Sequence, residues 1–503
     1  MEPTKILYRE RRISAVYKSK TEIVRKMNKY KKLAFNTLIF GIGSFGSKIL
    51  VILLTRLYTK EIDPGNMGIK SNLETIALLL QPIFTFALQE YLIRFGIDKK
   101  YDKRAVFTTS AAMTLIGMAA VILLVPGLRF ISVFSFISGY SMMLAVYICT
   151  SSLRMLCAQF VRARDMVKLF SLDGILATLT LFIFNVIFIS ELKMGIKGFF
   201  LSVILSDILS AVFLFLTAGL KKFLGRKYFS VKLVFEMLRF SLPLVPTIVM
   251  WTVTSLSDRI FLSNMRSSRV ELGDSATGLY DVANKIPNLI SMVSTIFFQA
   301  WNISAIAEND SADRSSFYEK VYSTYEAILF IAASGLMLLT KPITSFLANS
   351  DNYEAYSAVY LYTPVLIIAA VFTALNQFLG GIYSATKHTK NSFWTCLAAC
   401  TANLILNYVM IPVIGIQGAA IATLLSYYLC FWARIIDARY YVPFKFSGAR
   451  SLTNTGFLVL MSIIVIKAPP LWGVWLFLIF AAVTIMNFKP MMATVRKIVS
   501  RKR

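Results

Sequence analysis

The sequence predicts an all-α membrane protein of about fourteen transmembrane helices, arranged as two six-helix lobes plus two C-terminal helices. Three observations lead there. Hydrophobic residues make up 57% of the 503-residue chain, and the mean hydropathy is +0.65. Apolar runs of about twenty residues recur from Leu33 to Asn487, each long enough to cross a hydrocarbon core of roughly 30 Å as a helix. Lys, Arg, Trp and Tyr flank these runs, as expected at a membrane interface.

The runs place spans at 33–57, 68–94, 105–125, 130–158, 167–190, 196–219, 239–263, 277–305, 320–347, 356–384, 391–413, 416–438, 450–467 and 470–487. This divides the chain into a basic N-terminal segment (1–32), a first lobe (33–219), a linker (220–238), a second lobe (239–438), a final helix pair (450–487) and a basic tail (488–503). The N-terminal segment is polar and basic, and the first apolar run is too long for a signal core, so no cleaved signal is expected.

Orientation follows from the basic residues. Arg11, Arg12, Arg25 and Lys26 precede the first span; Lys99 to Arg104, Arg162 to Lys168, Lys221 to Lys227, Lys387 and Lys390, and Arg439 to Arg450 fall in alternate loops. The intervening loops are poorer in Lys and Arg, which puts both termini on the cytoplasmic side. This asymmetry accounts for the net charge of +27 and suits contact with anionic lipid headgroups. Because the charge is spread over membrane-flanking loops, it does not indicate nucleic-acid binding.

The five cysteines lie within or at the ends of spans and show no disulfide or zinc spacing. The single His388 sits in a basic loop. No metal or cofactor is expected, and no G-x-x-x-x-G-K-[ST] loop points to direct ATP use.

The chain repeats itself. GIKGFFLSVILSD from Gly195 aligns without a gap on GIQGAAIATLLSY from Gly415, and each opens the sixth span of a lobe. A weaker match pairs the stretch from Gly68 to Gln89 with that from Gly278 to Gln299, the second span of each lobe. Six spans are an even number, so the copies enter the membrane from the same side, a plan found in transporters whose two bundles rock about a central site. The linker KKFLGRKYFSVKLVFEMLRF has apolar residues at helical spacing and a basic face, and is expected to lie along the cytoplasmic surface as an interfacial helix.

Several of these stretches resemble a known family. GSFGSKILVILLTRLYTKEIDPGNMGI, SDRIFL, GLYDVANKIPNLISMVSTIFFQAW and LNYVMIPVIGIQGAAIATLLSY are similar to the polysaccharide (O-antigen type, Wzx-like) flippases of the multidrug/oligosaccharidyl-lipid/polysaccharide superfamily, over about Asn36 to Lys445. The resemblance implies two lobes in a V around a cavity. It also implies transfer of an undecaprenyl-diphosphate-linked oligosaccharide from the inner to the outer leaflet of a bacterial plasma membrane, without a covalent step. A polymerase or glycosyltransferases are implied as possible partners.

A diphosphate-sugar headgroup needs a hydrated, weakly cationic path, because each bare polar group in hydrocarbon costs several kcal/mol. A charge within a span costs on the order of 3 kcal/mol to insert, so it faces a cavity or a partner. Lys48, Arg259 and Lys285 are the candidate cations, on spans one, seven and eight. The alternative is structural: Asp258 neutralises Arg259 or Lys285 and pins spans seven and eight together. Asp281, Asn284, Gln89, Gln299, Asn403 and Asn407 are further candidates for the headgroup, although Asn and Gln serve interhelical packing equally. Glu74 or Asp281 would suit ion coupling, as would Asp173 and Asp207; Lys70 and Arg56 are expected at the interface. Gly43, Gly46, Pro243, Pro246 and Pro287 are candidate hinges.

Three rival readings remain. A drug or cation antiporter of the same superfamily would favour a carboxylate-dominated cavity. A peptidoglycan lipid-precursor flippase would differ only in its cargo. A membrane glycosyltransferase or polymerase would need a larger outer loop than the one around Met265 to Ser275.

Overall fold

The computed structural model describes residue 50 and residues 53–98, 100–131, 137–308, 311–348, 353–386 and 388–499. Residues 53–61 form α1. Then follow α2 (Pro64–Phe84), α3 (Leu88–Ile97), α4 (Lys103–Leu124), α5 (Ser141–Ala163), α6 (Val167–Asn185), α7 (Gly195–Thr217), α8 (Val231–Ser241), α9 (Val245–Asn264) and α10 (Asp274–Ala283). The remainder are α11 (Pro287–Glu308), α12 (Arg314–Leu338), α13 (Thr340–Leu347), α14 (Tyr353–Ser357), α15 (Val359–Thr386), α16 (Thr389–Ile414), α17 (Ile416–Tyr441), α18 (Gly448–Lys467) and α19 (Trp472–Val499). Among the described residues there is no strand.

Eleven helical stretches are long and apolar enough to cross a membrane, or twelve with α2 and α3 taken as one span bent by 47°. The fourteen expected spans differ in identifiable ways. Most of the first lies outside the described residues. The second breaks at Thr85–Ala87, where Phe86 and Ala87 take positive φ of 53° and 55° just after Pro82, an arrangement that interrupts the hydrogen-bond ladder. The eighth is divided between α10 and α11, because Pro287 can begin a helix but not continue one.

The linker also differs from the single helix expected over 220–238. Gly219, with φ of 61°, ends the sixth span; two short 3-10 turns follow at Leu220–Phe223 and Arg226–Tyr228; α8 starts only at Val231, capped by the Ser230 hydroxyl accepting from Leu233 N–H. The buried face of α8, Leu233 and Met237, packs with α3 and α4 of the first half. Pro243 lies in the 3-10 turn Leu242–Leu244 and Pro246 in the first turn of α9. Both prolines therefore stand at the junction between a helix held by one half and a helix belonging to the other.

The repeated glycines explain two local geometries. Gly195 and Gly415 have positive φ of 55° and 60°, a backbone conformation that glycine adopts without a Cβ penalty. Three residues on, a Cβ at Gly198 would lie 2.9 Å from the Phe188 carbonyl oxygen and one at Gly418 2.6 Å from that of Met410, so each hairpin closes tightly. The first hairpin reaches its contact through a π-helical turn at Val186–Glu191. Gly68 and Gly278 meet each other. A Cβ on Gly68 would stand 2.0 Å from the Asp274 carbonyl oxygen, and one on Gly278 1.9 Å from that of Pro64. Each glycine thus lets the other helix's first turn approach, and the α2–α10 contact is reciprocal.

The apolar core falls into three clusters. One lies wholly in the first half, around Tyr91, Phe107, Phe160 and Met237, and one in the second, around Trp301, Tyr322, Phe378 and Phe431. The third joins the halves: Tyr58, Met67, Ile196 and Phe199 share it with Tyr280, Tyr356, Ile411 and Ile416. This shared core sits at the end of the bundle carrying residues 62–63 and 265–273. The halves therefore meet at that end and hold separate cores at the other. Helices α18 and α19 pack on α12 and α15; Arg450 joins Glu326 at 2.5 Å, and Asn454 and Asn487 exchange amide hydrogen bonds. Leu123, Leu216, Ile436 and Ile485 are at least 70% exposed, as lipid-facing side chains of a multi-pass membrane protein are.

Candidate functional site

A cavity of about 600 Å³ lies between the halves. Its first-half wall is α2 and α3, with Thr75, Gln81, Gln89 and Glu90; its second-half wall is α9, α10, α11, α15 and α17, with Trp251, Arg259, Asn284, Asn288, Thr423 and Tyr427. Tyr280, six residues into α10, lines its closed end, about 9 Å of helical rise below the end where the cores merge.

The neighbouring charges Asp258 and Arg259 diverge round α9 and take different partners. The Asp258 carboxylate accepts from Asn407 Nδ2 at 2.6 Å, Tyr280 Oη at 2.6 Å, Thr423 Oγ1 at 2.8 Å and Asn403 Nδ2 at 3.4 Å. It ties together α9, α10, α16 and α17. Arg259 turns toward α2 and α10, donating from Nε to Ser71 Oγ at 2.7 Å and from Nη2 to Asp281 Oδ1 at 3.2 Å. Ser71 donates to the same carboxylate oxygen at 2.9 Å, and Lys285 Nζ lies 2.8 Å from Asp281 Oδ2. Asp281 is thus the shared anion of two cations and joins both halves at the closed end. The expected pairing of Asp258 with Arg259 or Lys285 is replaced by this division: two carboxylates of the second half, each with its own partners.

The candidates separate accordingly. Gln89, Asn284, Arg259 and Asp258 line the cavity. Asn403 and Asn407 are fully buried behind its wall as partners of Asp258. Asp281 is 3% exposed, and Lys285 borders a smaller pocket with Thr55, Ile343 and Leu347. These four, expected in the cavity, support it instead, because each finds a protein partner at closer range than the cavity. Lys48, Gly43 and Gly46 lie outside the described residues, as does the side chain of Gln299. Pro287 begins α11 at the edge of the cavity.

Lys70 corrects another expectation. It is 1% exposed, with Nζ 2.7 Å from Glu74 Oε2 and stacked 4.7 and 4.2 Å from the rings of Tyr58 and Phe199. The interface position failed because the aromatic cage and the i,i+4 carboxylate compensate the ammonium within the bundle. Arg56 stacks 4.6 Å over Phe346. Asp173 and Asp207 share Arg154, at 3.7 and 3.2 Å. Counted together, Lys70, Arg259 and Lys285 balance Glu74, Asp258 and Asp281, so the described cluster is neutral rather than cationic.

Trp251, Tyr427, Gln81 and Asn288 were not singled out from sequence. Aromatic and amide residues are common in spans, and only the crossing of helices distant in sequence shows which face a cavity. Arg434, 2% exposed on α17, was hidden by its closeness to the end of its span.

The family model described as "Polysaccharide biosynthesis protein" matches residues 33–305. Among solved structures, a multidrug MATE-family transporter of the MOP superfamily in its inward-facing conformation superposes with a TM-score of 0.65 at 12% identity, over 78% of this chain and 95% of that one. The lipid II flippase MurJ, in an inward closed conformation, also gives a TM-score of 0.65, at 16% identity over 91% and 99%. Protein DETOXIFICATION 44, chloroplastic, of Arabidopsis thaliana is 24% identical over 212 residues. The chain spans about 40% of that relative's length.

Proposed function

The chain belongs to the polysaccharide biosynthesis protein family of MOP-superfamily transporters and flippases, and from that premise we propose that it moves an undecaprenyl-diphosphate-linked oligosaccharide between leaflets by alternating access. The observation that carries this reading is a cavity between two halves, closed at one end by Arg259, Asp258 and Tyr280 and carrying on its walls the amides of Gln81, Gln89, Asn284 and Asn288. Amides on both walls suit sugar hydroxyls, and Arg259 at the closed end suits a diphosphate.

With the basic loops in the cytoplasm, the closed end faces outward and the state is open toward the substrate's side. Arg259 already holds Asp281 and Ser71. A diphosphate arriving at Arg259 competes with Asp281 and Ser71 for the same guanidinium, and the bond to Ser71 is one that joins α9 to α2. Binding of the headgroup therefore loosens the closed end, while the polyprenyl tail stays in lipid. The inside-negative potential favours outward movement of an anion by about 2.3 kcal/mol per charge per 100 mV.

The test is reconstitution of the full chain in liposomes, with transfer of an undecaprenyl-diphosphate oligosaccharide to the protected leaflet measured for wild type and Arg259→Ala under potentials of either sign. Transfer that depends on Arg259 and on the potential is the expected result. Absence of transfer for every sugar lipid, with export of a cationic drug, would establish the drug-antiporter reading instead.

A further inference from the structure

Behind the cavity wall lies a charge that the diphosphate site does not use. Arg434 is 2% exposed and sits 18 residues into α17, about 27 Å of helical rise from its start. All its hydrogen bonds go to neutral oxygens: Nη1 to the Asn376 carbonyl at 2.8 Å, Nε to Thr395 Oγ1 at 3.0 Å, and Nη2 to Ser392 O and Oγ at 3.3 Å. A buried guanidinium without a carboxylate is costly. What it does face is aromatic: its Cζ lies 5.5 Å from the ring centre of Trp251 and 5.8 Å from that of Tyr383.

Trp251 lines the cavity, next to Tyr427 at 5.9 Å between ring centres. The Tyr427 backbone is held from behind, its carbonyl accepting from Asn376 Nδ2 at 2.9 Å, the residue whose own carbonyl holds Arg434. Gln81 and Gln89 from the first half and Asn288 from α11 complete the same chamber.

An aromatic face is electron-rich and attracts cations. Here the guanidinium already draws on the Trp251 π-cloud from behind and repels a second cation across the ring. The same polarisation makes the indole N–H a stronger donor and leaves the ring's area available to an uncharged partner. The apolar C–H face of a pyranose ring is such a partner, with its hydroxyls reaching the amides.

We propose that Trp251, polarised by Arg434 and flanked by Tyr427, is a saccharide-stacking subsite distinct from the Arg259 diphosphate site, and that Arg434 sets specificity against organic cations. The inference deepens the flippase reading and rests on it.

The test measures binding to the purified full chain of farnesyl diphosphate, of farnesyl-diphosphate-linked N-acetylglucosamine and glucose disaccharides, and of tetraphenylphosphonium. In wild type, a glycosylated probe binds about tenfold more tightly than farnesyl diphosphate. Trp251→Ala removes that increment and leaves farnesyl diphosphate affinity as it was. Trp251→Phe, which retains a ring, keeps part of the increment and carries the test if the alanine variant does not fold. Arg434→Gln raises tetraphenylphosphonium affinity several-fold, and Arg434→Lys does not. An increment that survives Trp251→Ala, or that is absent from wild type, overturns the stacking subsite while the diphosphate reading stands. Unchanged tetraphenylphosphonium affinity in Arg434→Gln overturns the role of the arginine. Failure of every diphosphate probe to bind wild type overturns the flippase reading and this subsite with it.

Discussion

Adding one methyl group at Gly278 should shift the protein between its conformational states. The new Cβ of Gly278→Ala would lie 1.9 Å from the Pro64 carbonyl oxygen and 3.1 Å from Gly68 N. A relaxed C···O contact is about 3.4 Å, so α2 and α10 must separate by roughly 1.5 Å. Both near atoms are backbone, and no side-chain rotamer relieves the clash. Overpacking of this kind costs about 1–3 kcal/mol. Only the state in which the two helices touch bears that cost, so the population ratio moves about 5-fold to 150-fold toward the state in which they part.

The assay places a cysteine at Asn284, which lines the cavity. All five native cysteines are buried, which keeps background labelling low. A membrane-impermeant maleimide is added on the side carrying residues 62–63 and 265–273. Labelling of Asn284→Cys in the Gly278→Ala background should rise within that range over the Gly278 parent. An unchanged labelling rate in a protein that melts at the parental temperature would refute the reasoning, since the helices would then accommodate the methyl without parting.

Other expectations follow from the polar clusters. Asp258→Ala leaves the donors of Asn403, Asn407, Tyr280 and Thr423 without their acceptor, and should lower stability by about 3 kcal/mol, read as a fall in melting temperature. Glu326→Ala should cost about 3–5 kcal/mol because Arg450 is left charged in the bundle, whereas Glu326→Leu combined with Arg450→Leu should recover much of it; a double-mutant cycle on melting measures this. Lys70→Met should leave Glu74 charged without its nearest cation and reduce transport more than Arg56→Met, whose guanidinium stacks on Phe346; transfer rates in liposomes compare the two.

The composition and the periodic apolar runs determined that the chain is a multi-pass helical membrane protein, because the bilayer admits little else for such a sequence. The two glycine-led repeats aligned the starts of two helices, and Gly195 and Gly415 both take positive φ there. Arg259 drew attention in the sequence because a charge in an apolar run stands out in one dimension. Its partner was not. Asp281 is 22 residues away along the chain, and Asp258, the adjacent residue, takes its partners from α10, α16 and α17 instead. Sequence adjacency on a helix separates side chains by about 100°, so neighbours in the chain serve different interfaces.

The same limit hid Trp251, Tyr427 and Arg434, whose types are ordinary in a span and whose meaning depends on α9, α15 and α17 meeting. It also placed Lys70 wrongly, since nothing local announces that rings from α1 and α7 will enclose it. Segment length, hydropathy and backbone chirality act along the chain, and these the sequence by itself determined. Which charges pair, which wall faces the cavity and which end is closed depend on contacts between helices tens to hundreds of residues apart, and only the tertiary structure decided them.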